Sequence, residues 1–206
     1  MPVRFAAAES NFPEIDKLVD SVRQASFPQL RGAEIIVRDL RSDYVFLETR
    51  FTLSSYFFGG KLRYMLMFNR EASSRKVPAE GLRAIVAHEL AHIDYFQKQS
   101  RMGLAGLVRL LSPSFTAQFE RKADLETIVL GYGRGLEAYR TWLYRNIPHD
   151  RIGEKKRDYF SPEEIETMLR AEKEHPGMMK TFVRCVPRNP GEIEAEVRNP
   201  NMPCTD

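Results

Sequence analysis

Residues 82–99 read LRAIVAHELAHIDYFQKQ, and the fold turns on this stretch. Leu82, Ile85, Val86, Leu90 and Ile93 recur at helical spacing. Ahead of them, Val77-Pro78-Ala79-Glu80 supplies a proline suited to a helix start and an acidic first turn. Gly103 and Gly106 lie beyond the end. On a helix His88 and His92 stand one above the other on a single face, so both imidazoles can bind one metal ion. Glu89 follows the first histidine and can reach the open side of such a metal, where a carboxylate can take a proton from water. The plainer reading is a partly buried helix whose histidines only hydrogen-bond.

A catalytic zinc takes three protein ligands and keeps a position for water. The metzincin extension asks for Gly three residues after the second His and His six after. Tyr95 and Lys98 stand there, which excludes that route. The other common route takes a Glu from a later helix. Residues 120–124 read Glu-Arg-Lys-Ala-Asp, with Glu120 and Asp124 four apart on one helical face. Glu120 can ligate, while Asp124 can hydrogen-bond the far nitrogen of a ligating His. Ala123 leaves room for two helices to approach closely. The bland alternative makes both acids surface charges, with Arg121 and Lys122 marking an exposed side.

Outward from this pair, residues 11–25 read as an amphipathic helix with Ile15, Leu18, Val19 and Val22 on one stripe. Residues 34–40, 44–53 and 62–69 are rich in β-branched, aromatic and apolar side chains, which predicts three strands. The last puts Tyr64, Leu66 and Phe68 on one face. Residues 70–78 read as a polar loop. Helices are expected over 102–111, 114–130, 134–145 and 162–174, the last opened by Ser161-Pro162-Glu163-Glu164. The fold class expected is α+β, a small and mostly antiparallel sheet packed on a helical half that carries the metal helices. Residues 1–175 read as one domain. From Pro176 the prolines and the lack of a period read as a wrapped or mobile tail, 176–206.

The pairing of His88-Glu89-xx-His92 with Glu120-xx-Ala123-Asp124 resembles the M48-type gluzincin metallopeptidases, whose motif is HExxH plus ExxxD. Ser55-Tyr56-Phe57-Phe58-Gly59-Gly60 and the strand after it are similar to the Gly-Gly turn and strand that precede the metal helix in that family. The resemblance covers roughly residues 50–135. It implies a zincin-like fold and a zinc-dependent endopeptidase acting on a peptide or protein substrate. His88, His92 and Glu120 would be ligands of one Zn2+, Glu89 the general base, and Asp124 the orienting acid. Strand 62–69 would be an edge strand on which an extended peptide could be added. Family members often place a His after the ExxxD helix as an oxyanion donor. His149 stands in a suitable late position, with Tyr132, Tyr139 and Tyr144 as rivals. The chain departs from the integral-membrane members and looks closer to the compact soluble ones.

Bulk properties narrow the remaining classes. The chain has 206 residues, enough for one domain with a proper core. A net charge of +3 and the absence of a clean basic run argue against nucleic acid as partner; Lys155-Lys156-Arg157 is flanked by Glu154 and Asp158. The longest apolar run, Met102 to Leu111, is too short for a membrane span and carries Arg109. The N-terminus lacks the apolar centre of a signal peptide, so the chain is expected to be cytoplasmic unless a leader has been trimmed. Cys185 and Cys204 form no CxxC and leave the redox compartment open. Cys204 could instead reach back to the zinc and hold the enzyme latent. Two rivals stand beside the peptidase: a non-catalytic zinc-stabilised peptide- or partner-binding domain, and a nucleic-acid-associated metalloprotease.

Overall fold

The computed structural model describes residues 12–51, 63–99 and 112–204. Helix α1 spans Pro13–Ser26 and leads through a 3-10 turn, Pro28–Gly32, into strand β1, Glu34–Asp39. Strands β2, Leu47–Phe51, and β3, Arg63–Phe68, complete a sheet of order β1-β3-β2 among the described residues. β3 pairs in parallel with β1 (Val37 opposite Leu66) and antiparallel with β2 (Thr49 opposite Leu66). The sheet is therefore mixed, where the sequence reading expected mostly antiparallel pairing. It also makes β3 the central strand and not an edge: both of its hydrogen-bonding sides are taken. Tyr64, Leu66 and Phe68 are buried on one face, as the alternation predicts.

A short helix α2, Glu71–Ser74, occupies what the sequence suggests is loop. The residue before it explains the turn. Buried Asn69 donates to the carbonyls of Ser42 and Val45 and accepts from Glu71 N, pinning the lead-in to β2 against the end of β3. Helix α3, Ala79–Lys98, then runs through the middle of the molecule. From Ala84 to Asp94 every residue is buried, so this middle stretch of α3 has no solvent stripe. One side meets the sheet and α1 in a core containing Val22, Phe27, Leu66 and Phe68. Its other side, through Ala84, joins a second core with Leu125, Leu136, Phe160 and Phe182.

Helix α4, Pro113–Thr127, passes through a π-helical segment, Ile128–Tyr132, into α5, Gly133–Asn146. Gly131 lies in the segment at φ 90, a left-handed conformation that costs glycine nothing, and turns the chain back along α3. α3 and α5 cross at close range. A Cβ at Gly135 would stand 2.4 Å from the carbonyl oxygen of Glu80. Helix α6, His149–Asp158, has no apolar periodicity to announce it: its run HDRIGEKKRD has almost no apolar face. Helix α7, Pro162–Glu174, opens with a full capping box, Ser161 Oγ accepting from Glu164 N and Glu164 Oε2 from Ser161 N.

Of the two alternatives for 176–206, wrapped or mobile, the described residues 176–204 take the wrapped one, and they do so as helices. They form α8, Met178–Cys185, and α9, Pro190–Arg198, whose Phe182 and Ile193 sit in the second core. A disulfide joins Cys185 to Cys204. Cys204 Sγ is thus taken up by the disulfide and Cys204 does not line the cleft of the two histidines, which removes the latency expectation. Arg121, expected to mark a solvent face, is buried. It donates to Glu164 Oε1 and to the carbonyl of Pro187, and lies over the Phe160 ring. Residues 55–60 and the helix expected over 102–111 lie outside the described residues.

Candidate metal centre

α3 presents His88 and His92 one turn apart, and α4 brings Glu120 across to them. His88 Nε2 and His92 Nε2 are 3.1 Å apart, and each lies 3.0–3.1 Å from Glu120 Oε2. Three ligand atoms thus form a nearly equilateral triangle at the floor of a cleft. Around a tetrahedral zinc with bonds of 2.0–2.1 Å, donor atoms stand about 3.3–3.4 Å apart. The observed spacing is slightly tighter and of the right shape. The donor set of two imidazoles and one carboxylate fits an open catalytic site.

Hydrogen bonds alone satisfy this triangle poorly. His88 Nδ1 lies 2.8 Å from Asp124 Oδ1, so the proton of a neutral ring belongs on Nδ1 and Nε2 turns a lone pair toward the other two donors. Burial draws the His88 pKa down. Hydrogen bonds to Asp124 and Glu120, and then their charges, outweigh it and push the value up to about 10. Burial would raise Glu120, but the charge of His92 and hydrogen bonds from both imidazoles hold it well below the usual carboxylate range. The cluster demands positive charge. A proton can meet that demand, and a metal cation can meet it at all three atoms at once.

Asp124 is fully buried and serves as a hub. Besides facing His88, its Oδ1 accepts from Arg140 Nη2 at 2.8 Å, and its Oδ2 accepts from Phe160 N at 3.1 Å. Burial pushes this carboxyl up; Arg140's charge and the His88 contact more than reverse the effect, and it is lowered. The same side chain therefore orients a ligand imidazole, neutralises α5's buried guanidinium, and fixes the linker between α6 and α7.

The cleft has a volume of about 280 Å³. Its floor is α3, with Ile85, His88, Glu89 and His92. Glu89 is buried along α3 and its carbonyl accepts from Thr49 Oγ1, which ties α3 to β2. β2 and its lead-in, residues 44–49, form one wall, so β2 replaces β3 as the strand beside the cleft. Phe96 and Phe119 form an aromatic end, with Phe119 stacked on His92 at 4.6 Å. Tyr139, Arg140, Lys155 and Tyr159 close the far side.

Of the expected residues, His88, Glu89, His92, Glu120 and Asp124 come together. His149 does not: it is exposed at the start of α6 and does not line the cleft. Among the tyrosine rivals, Tyr132 bonds Ser26 elsewhere, Tyr144 stands outside, and Tyr139 lines the cleft. Sequence reasoning missed Tyr159, whose ring centroid lies 5.9 Å from that of His88. Its phenol is raised well above 10, by burial first and then by the charge of Glu120, so it stays protonated. A signal was present. Tyr159 and Phe160 directly precede the Ser161 capping box, where the chain must turn sharply into α7.

With the geometry in view, known proteins offer no further guide. No family model, curated protein or solved structure matches this chain.

Proposed function

We propose that this chain is a zinc-dependent endopeptidase of the gluzincin kind. The observation that carries the reading is the convergence of His88, His92 and Glu120, backed by Asp124, with Glu89 in the same cleft. When bound, a divalent ion would supply Lewis acidity, bringing a water toward a neutral pKa and polarising a carbonyl. Zinc suits the mixed nitrogen and oxygen donors. The Glu89 carboxylate would accept the proton of that water and return it to the leaving amine. Asp124 would hold the His88 ring with Nε2 facing the metal. The Tyr159 hydroxyl, kept protonated by burial, would donate to the oxygen on which charge accumulates. An extended peptide would lie along β2, an edge among the described strands.

A non-catalytic zinc-stabilised binding domain is the second reading, since the same cleft could hold a peptide without cutting it. A carboxylate beside the imidazoles is not needed to hold α3 against β2, because Glu89 accepts from Thr49 through its backbone carbonyl. Metal content by mass spectrometry, run beside casein cleavage for wild type and Glu89→Gln, separates the two. The peptidase reading expects one zinc per chain in both proteins and at least a thousandfold loss of cleavage in the variant. One zinc with no cleavage by wild type supports the binding domain. No metal after reconstitution sinks both.

A further inference from the structure

We propose that the cleft selects peptides bearing a carboxylate, an Asp or Glu side chain or a free C-terminus, seated against Lys155. The inference rests on the peptidase reading and names its substrate class. Lys155 projects from α6 into the cleft wall, half-buried, with Nζ 5.1 Å from the Tyr159 ring and 5.7 Å from the Tyr44 ring. The neighbouring cations are each matched. Arg140 pairs with Asp124, Arg151 with Glu154, Arg157 with Asp158, and Arg50 with Glu48. Among the described residues, no carboxylate stands within ion-pairing distance of Lys155. Both rings also carry a nearer guanidinium, Arg140 over Tyr159 and Arg151 over Tyr44, and Glu154, Glu120 and Asp158 act on the ammonium only from beyond ion-pairing distance. A cation drawn partly out of water in this way is incompletely compensated, and an incoming anion is the missing partner.

The charge of the cleft supports the same conclusion. Glu48, Glu89 and Glu120 line it and Asp124 lies beneath, against Arg50, Arg140 and Lys155. That leaves one net negative charge, which explains the demand for a cation at the triangle. A bound dication turns the balance to one net positive charge, which a single carboxylate offsets. The opposite end is apolar: Phe96 and Phe119 lie 6.0 Å apart, and Phe115 continues the stack at 6.5 Å. The cleft therefore fits a segment that is aromatic or aliphatic at one end and acidic at the other. Burial, and then Arg140's charge, holds the Lys155 pKa below its ordinary value, a deficit that a bound carboxylate would relieve.

The test is equilibrium binding to zinc-loaded Glu89→Gln protein, read by fluorescence anisotropy. The probes are fluorescein-labelled hexapeptides that carry one Phe and either Glu or Gln at each other position. Each is made with a free or an amidated C-terminus. Expected is at least tenfold tighter binding of the carboxylate peptides than of their neutral analogues. Lys155→Met should bring the two within twofold, Lys155→Arg should keep the preference, and Lys155→Glu should invert it. Comparing the Glu and free-acid arms tells which carboxylate is seated. Equal binding of charged and neutral peptides overturns the inference, as does a preference that survives Lys155→Met or no binding by any peptide at millimolar concentration. Because binding is read on protein unable to hydrolyse, a failure of the casein experiment has a different signature from a failure here.

Discussion

At the scale of single residues, Asp124 carries the most consequence. Three groups, from two helices and a linker, converge on one fully buried carboxylate: the imidazole of His88, the guanidinium of Arg140 and the amide of Phe160. Asp124→Ala leaves Arg140 as an uncompensated buried cation, an effect of about 3–5 kcal/mol in urea unfolding. Asp124→Asn keeps the shape and can still accept from Phe160, but loses the charge that fixes the His88 tautomer. We expect zinc affinity to fall by about 10–100-fold, measured by chelator competition. Unchanged affinity in Asp124→Asn would remove the hub from the metal centre. The residue scale is also where the sequence is most legible. HExxH and ExxxD name four residues that line the cleft and the Asp124 beneath it, because helical periodicity stacks His88 with His92 and Glu120 with Asp124. Tyr159 and Lys155 escape it, since a C-capping residue and a position on a polar helix reach the cleft only through tertiary packing.

Between elements, the crossing of α3 and α5 decides how accurately the ligand helix is placed. Gly135 allows the two backbones to approach within the reach of a single methyl group. Gly135→Ala gains up to about 1 kcal/mol of helix propensity. It also drives Cβ into the Glu80 carbonyl, a clash with backbone that no rotamer relieves, at a cost of about 1–3 kcal/mol or more. Net destabilisation is expected in thermal unfolding, with weaker metal binding because α3 carries His88 and His92. A gain in melting temperature would show that the crossing tolerates expansion. Helices α1, α3, α5 and α7 were readable from their apolar stripes and start signals. The sheet's order was not, because strand partners are set by long-range packing and not by local pattern: β1 lies 29 positions before its partner in β3 (Glu34 opposite Arg63). α8 and α9 were hidden for a related reason. They are short, proline-flanked helices whose stability comes from docking Phe182 and Ile193.

Over the whole molecule, the triangle links folding to pH. Without metal, His88 titrates near 10 in the folded chain against 6.5 as its ordinary value. A raised folded pKa adds stability that is complete below 6.5 and lost as pH climbs toward about 10. Glu120 is shifted the other way from 4.5, so its contribution is present above that value and lost as pH falls below it. In the presence of a chelator, the melting temperature should therefore decline between pH 6.5 and about 10. With zinc supplied the decline should vanish, because the metal takes the deprotonated ligands. Parallel curves with and without zinc would count against metal binding at this site. The Cys185–Cys204 bond closes a segment of 19 positions, and its reduction should cost about 3 kcal/mol in urea unfolding. The loss should leave zinc affinity intact, since the bond lies away from the cleft.

The hub also sets an order of events during synthesis. A ribosome delivers His88 and His92 early, then Asp124, then Arg140, and only later Tyr159 and Phe160. The imidazoles therefore exist for some time without the carboxylate, guanidinium and backbone amide that hold them in register. A nascent chain cannot complete this hub until Phe160 has emerged and docked. The cleft is thus a late product of synthesis, although its two histidines are made well before the groups that fix them.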